Sequence, residues 1–182
     1  LLGPALLFQG GIIALALILG RLLGIEPWLE MQWTLAAVAA GLAATLPLAA
    51  TLVFVPLEQW RWARQLSAQI RSFLHTLFDG APFGAIALVS LLAGIGEEML
   101  FRGLIQDGLS QAWHPVPALL IASVLFGLAH AVSPAYWLLA SLMGLYLGAV
   151  HLWSGNLLVV IIIHAAYDWI AIQYYLRRDR LP

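Results

Sequence analysis

The chain has 182 residues, 63% of them hydrophobic and 9% charged, with a mean hydropathy of +0.94 and a net charge of −1. Soluble domains carry about a quarter charged residues, so this composition marks an integral membrane protein, and the near-neutral charge excludes a basic nucleic-acid-binding surface. There are no cysteines, which removes disulfides, thiolate metal sites and a cysteine nucleophile together.

Six apolar segments each approach the roughly 20 residues that a spanning helix needs. They cover about 4–23, 33–56, 82–106, 116–131, 135–152 and 157–176. None has the alternating, turn-punctuated pattern of an outer-membrane barrel. The expected fold is all-α: a polytopic membrane helical bundle of about six transmembrane helices. Without an internal repeat or a low-complexity linker, residues 1–182 read as one domain. The first residue is Leu, not Met, which reads as a chain trimmed at its start.

Residues 57–80 are more polar. Trp60, Leu66, Ile70, Phe73, Leu74 and Leu77 recur at helical spacing among Arg61, Arg64, Gln65, Gln69 and Arg71. That pattern suits an amphipathic helix along the headgroups, or an ordinary helical loop. In a six-span layout Arg61, Arg64, Arg71, Arg177, Arg178 and Arg180 share one side, and the opposite loops hold only Arg21. The positive-inside rule puts that side, with both termini, in the cytoplasm. Trp28, Trp33, Trp60, Trp62, Trp113, Trp137 and Trp153 fall near span ends, as an aromatic belt requires. Gly144 and Gly148 form a GxxxG spacing suited to close helix packing.

The third span carries LLAGIGEEMLFRG, residues 91–103. Charged groups near a bilayer centre are costly unless paired or hydrated, so Glu97, Glu98 and Arg102 mark a functional site. Glu98 and Arg102 are four apart with Glu first, the favourable order for an ion pair on one helical face. Glu97 is turned about 100° away and is free for another task. The fourth span places Phe126 one turn before His130, and the sixth places His164 one turn before Asp168. Three helices thus direct ionisable groups into an apolar bundle, where each needs a partner away from water. His75, His114, His151, Asp79 and Asp107 read as surface or loop residues.

A carboxylate beside an imidazole can hold a water and remove its proton as it attacks a carbonyl. A second His, held by Asp168, can donate to the developing oxyanion. That set hydrolyses a peptide bond without a covalent nucleophile. The same groups suit a divalent metal such as zinc, with His130, His164 and Glu97 as candidate ligands, and the spacing leaves both routes open. HExxH, Gly-x-Gly-Asp and Gly-x-Ser-Gly signatures are missing from the sequence.

Glu97-Glu98-x-x-x-Arg102, Phe126-x-x-x-His130 and His164-x-x-x-Asp168 resemble, in order, the three motifs of the CPBP group, also called the Abi family. That group contains the type II CAAX prenyl endopeptidases and the bacteriocin-processing or self-immunity proteins. The resemblance covers about 82–176, the protease-like core. It implies a polytopic helical protease in which Glu97 activates water with His130, while His164 and Asp168 help form the oxyanion site. Asp168 stands where the family most often has Asn, and an ionised Asp cannot donate to an oxyanion; it orients His164 or stays protonated. The family's older metalloprotease name and a metal-free glutamate mechanism are both compatible with these residues.

The first reading is therefore an intramembrane endopeptidase in a bacterial-type inner membrane, cutting a peptide or protein substrate in a cavity open to the cytoplasm, with membrane lipid as its other partner. A non-catalytic membrane binding protein, such as a bacteriocin immunity factor, is the alternative, and a proton-coupled transporter is a third. Straight spans would separate Glu97 from His130, since Glu97 lies roughly 24 Å from the cytoplasmic end of its helix. The fourth segment is short, however, so the turn after His130 is expected to lie at membrane depth and bring the two within about 10 Å.

Overall fold

The structure, a computed structural model, describes residues 2–54 and 59–178. The expected end of the second span at Pro56, the start of the polar stretch at Leu57 and the Arg180 of the tail lie outside the described residues. Among the described residues the fold is entirely helical, a polytopic bundle. Seven helices are present: α1 (Leu2–Leu23), α2 (Leu35–Phe54), α3 (Arg61–Phe78), α4 (Phe83–Ala112), α5 (Pro115–Ala129), α6 (Pro134–Ser154) and α7 (Leu157–Arg178).

Five of these, α1, α2, α4, α6 and α7, are long and apolar enough to cross a membrane. The fourth expected span is shorter. α5 has 15 residues, about 22 Å against a hydrocarbon core of about 30 Å. It ends at Ala129, and the next helix begins at Pro134, with Ser133 before it held in extended geometry. Ser133 then caps α6, its Oγ accepting from the Tyr136 amide at 3.2 Å.

α7 is the central helix and packs against α2, α4 and α6. Leu157, Leu158, Val159, Val160, Ile161 and Ile163 are all buried, so this segment is apolar around its whole circumference, as a core helix must be. Asn156 fixes where it starts. Its Oδ1 accepts from the amides of Leu158 and Gln32, both at 3.0 Å, and its Nδ2 donates to the Gln32 carbonyl at 2.9 Å. One side chain therefore caps α7 and ties down the connection between α1 and α2.

Small residues bring helices into backbone contact. A methyl group on Gly94 would lie 2.9 Å from the Ile161 carbonyl oxygen, so α4 and α7 touch one turn before Glu97. The Gly144–Gly148 pair of α6 behaves as its spacing predicts. A methyl at Gly144 would press on Ser123 and Phe126 of α5. The amphipathic stretch also forms the expected helix: in α3, Ala63, Leu66 and Ser67 are buried while Trp60, Trp62 and Phe73 are exposed.

α4 departs from regular α-geometry between Met99 and Gln106, where the chain forms a π-helical stretch. Such stretches are rare and concentrate at functional sites. The helix also runs past its expected end at residue 106, and this corrects two readings. Asp107 is a helix residue rather than loop solvation, and His151 is buried with 3% of its surface exposed. His151 Nε2 lies 3.0 Å from both carboxylate oxygens of Asp107, which links α4 to α6.

Candidate active site

Glu98 and Arg102 lie on one face of α4 and are almost wholly buried. Arg102 Nη1 donates to Glu98 Oε1 at 2.9 Å, and Nη2 donates to the Gly144 carbonyl of α6 at 2.9 Å. The planar guanidinium fork suits two acceptors held at fixed positions. Its Cζ also lies 4.7 Å from the centroid of the Phe126 ring, a cation–π contact. The same Glu98 Oε1 is 2.6 Å from His164 Nδ1. Because the carboxylate can only accept, that ring nitrogen carries the proton.

This contact adds a second support for the ring. The sequence reading has Asp168 hold His164, but the short bond to His164 comes from Glu98. Asp168 Oδ2 is 3.5 Å from the other nitrogen, Nε2, and its side chain is partly exposed. His164 is thus flanked by carboxylates at both ring nitrogens.

Glu97 points elsewhere, as the helical offset predicts. Its Oε2 stands 3.5 Å from His130 Nε2 and 3.9 Å from His164 Nε2. His130 therefore lies far inside the expected 10 Å limit, because α5 ends early. The His130 ring is fixed from behind, with Nδ1 2.8 Å from the Phe126 carbonyl. A carbonyl only accepts, so Nδ1 carries a proton, and in the neutral ring the Nε2 lone pair faces Glu97. Two acceptors then confront one another.

Phe126 occupies the middle of the group. Its ring centroid is 4.6 Å from that of His130, 5.1 Å from Phe101 and 5.9 Å from His164. The structure thus gathers Glu97, Glu98, Arg102, Phe126, His130, His164 and Asp168 from α4, α5 and α7, with the His130 backbone just beyond α5. Sequence reasoning passed over Gln9 on α1, whose Nε2 donates to Glu97 Oε1 at 3.4 Å. The available signal was its isolation, since it is the one polar side chain in residues 1–20.

A zinc site requires donors at about 2 Å from a common point. Among the described residues no group of three or more His, Asp or Glu side chains is arranged to hold a metal ion. His164 Nε2 is turned closer to Asp168 than to Glu97.

Residues 79–170 match the family described as type II CAAX prenyl endopeptidase Rce1-like. No curated protein and no solved structure matches the chain. The matched residues make up half of the chain and contain all three motifs, from the Glu pair on α4 to His164 and Asp168 on α7. The protein belongs to the type II CAAX prenyl endopeptidase Rce1-like family.

Proposed function

We propose that this chain is an intramembrane endopeptidase in which Glu97 and His130 activate a water. The observation that carries the reading is the face-to-face approach of Glu97 Oε2 and His130 Nε2 at 3.5 Å. With the imidazole neutral and the carboxylate ionised, both atoms accept hydrogen bonds and neither donates to the other. A water donates one O–H to each at about 2.8 Å from both, off the line that joins them. Its oxygen lone pair is then free to attack a carbonyl carbon.

As the new C–O bond forms, Glu97 takes the proton from the water, and the carbonyl π electrons pass to its oxygen. His164, flanked by Glu98 and Asp168, is the candidate cationic donor toward that oxyanion. Collapse of the tetrahedral intermediate breaks the C–N bond, and the proton held by Glu97 goes to the departing amine. Arg102 anchors Glu98, and Glu98 orients His164. Phe126 fixes the spacing between the two imidazoles. No step is routed through a metal.

The same reading orients the Arg61, Arg64 and Arg71 end of the bundle toward the cytoplasm, on the strength of the positive-inside rule, in a bacterial inner membrane. The direct test is cleavage of a peptide library by purified protein in detergent. Cleavage is expected for the wild type and lost in Glu97→Gln and His130→Ala variants that remain folded. Retained cleavage in either variant removes the mechanism, and a wild type that cuts nothing favours a binding role for the same cavity.

A further inference from the structure

Gln9 lies on the inward stripe of α1, in helical register with Ile12, Ile13, Ala16 and Gly20. Along that stripe α1 approaches α4 closely. A methyl group on Gly96 would lie 3.0 Å from Ile13 Cγ1 and 3.3 Å from Ile12 Cγ2. One turn back from this contact, the Gln9 amide donates to Glu97 Oε1 at 3.4 Å. Among the described residues it is the only protein group that hydrogen-bonds to the Glu97 carboxylate. Glu98, one position along, has Arg102 and His164 on a single oxygen.

We infer that Gln9 is a positioning residue for Glu97, holding Oε1 so that Oε2 faces His130. A neutral amide suits that task. It sets the rotation of the carboxylate without cancelling its charge, whereas an Arg in its place would repeat what Arg102 does to Glu98. The inference deepens the reading of Glu97 as the base and rests on it. It also puts one wall of the site on α1, outside the residues that match the family.

Gln9→Met keeps the length of the side chain and removes the donor. For a cleaved peptide, kcat falls about tenfold to a hundredfold, the scale of a misplaced catalytic group. KM changes by less than about twofold, because Gln9 touches Glu97 rather than the substrate. The melting temperature in detergent changes little. The replacement removes the buried, unpartnered Gln9 carbonyl and leaves Glu97 Oε1 without its protein donor, one unpaired group exchanged for another. Phe8→Met, at the exposed neighbouring position, changes neither quantity. An unchanged kcat, or a kcat lost only in step with the melting temperature, overturns the inference.

Infrared spectroscopy reads the contact apart from activity. The carboxylate stretch of Glu97, identified as the band lost in Glu97→Gln, shifts in Gln9→Met. A shift in a protein that cleaves no peptide supports the positioning contact and removes only the protease reading. A band that stays in place overturns the contact whatever the activity.

Discussion

Glu98 and His164, 66 positions apart in the chain, share the shortest polar contact of the site, 2.6 Å between Oε1 and Nδ1. The same oxygen also receives Arg102. One carboxylate thus joins α4 to α7 and, through Arg102, to the backbone of α6.

Removing the cation from that junction leaves Glu98 charged, buried and half-satisfied. Arg102→Ala is expected to destabilise the protein by about 3–5 kcal/mol, the cost of breaking a buried pair from one side. Arg102→Lys should recover only part of this, since an ammonium cannot present a planar fork to both Glu98 and the Gly144 carbonyl. Thermal unfolding in detergent, compared across the three proteins, checks both statements.

Glu97→Gln and His130→Ala should behave in the opposite way. Each is expected to lower cleavage by about 10²–10⁴-fold, the usual contribution of a general base, with little change in melting temperature. Neither side chain bridges helices through a buried ion pair of the Glu98 kind. Single-turnover assays beside unfolding curves separate the two classes of residue.

Phe126→Ala is expected to affect both quantities. Phe126 is buried, so its loss costs about 3–5 kcal/mol through the cavity left behind. It also removes the ring surface against which both imidazoles and Arg102 rest. Phe126→Leu should regain much of the stability while activity stays low, because a branched aliphatic chain offers no flat face. Retention of full activity in a stable Phe126→Leu protein would count against the positioning of the imidazoles by this ring.

Gly94→Ala tests the contact between α4 and α7. The added methyl meets backbone of α7 at 2.9 Å, so the helices must part, at about 1–3 kcal/mol for overpacking. Because α7 carries His164, cleavage should fall more than it does for Gly84→Ala on the same helix, where a methyl meets nothing within 4 Å. Equal activities in the two variants would mean that this helix spacing does not matter to the site.

Helix periodicity made each within-helix pair legible. Glu98 with Arg102, Phe126 with His130, and His164 with Asp168 are all four apart, and that spacing alone puts them on common faces. It says which way a face points but not what meets it. For that reason the spacing points to Asp168, one turn on, as the support of His164 and does not show Glu98 on another helix, which makes the shorter contact, 2.6 Å against 3.5 Å. His151 and Asp107 were misread for the same reason, compounded by a helix that continues past its expected end. The shortness of α5 was legible, and it decided whether Glu97 and His130 could meet. Gln9 was missed because one uncharged amide in an apolar helix gives no motif, even though its partner is the most exposed question in the sequence: what Glu97 faces.

The glycine pair on α6 also acts as a register key. Arg102 donates to the carbonyl of Gly144 and Gln106 donates to that of Gly148, so successive turns of α4 grip successive turns of α6. A methyl at Gly148 would lie 2.5 Å from Gln106 Oε1, so a larger residue there has to displace that amide. A slip of α6 by one turn, about 5.4 Å, in the direction that brings Leu152 to the place of Gly148 would set a leucine side chain against Gln106. Sliding in that direction is therefore opposed by a side chain as well as by two hydrogen bonds.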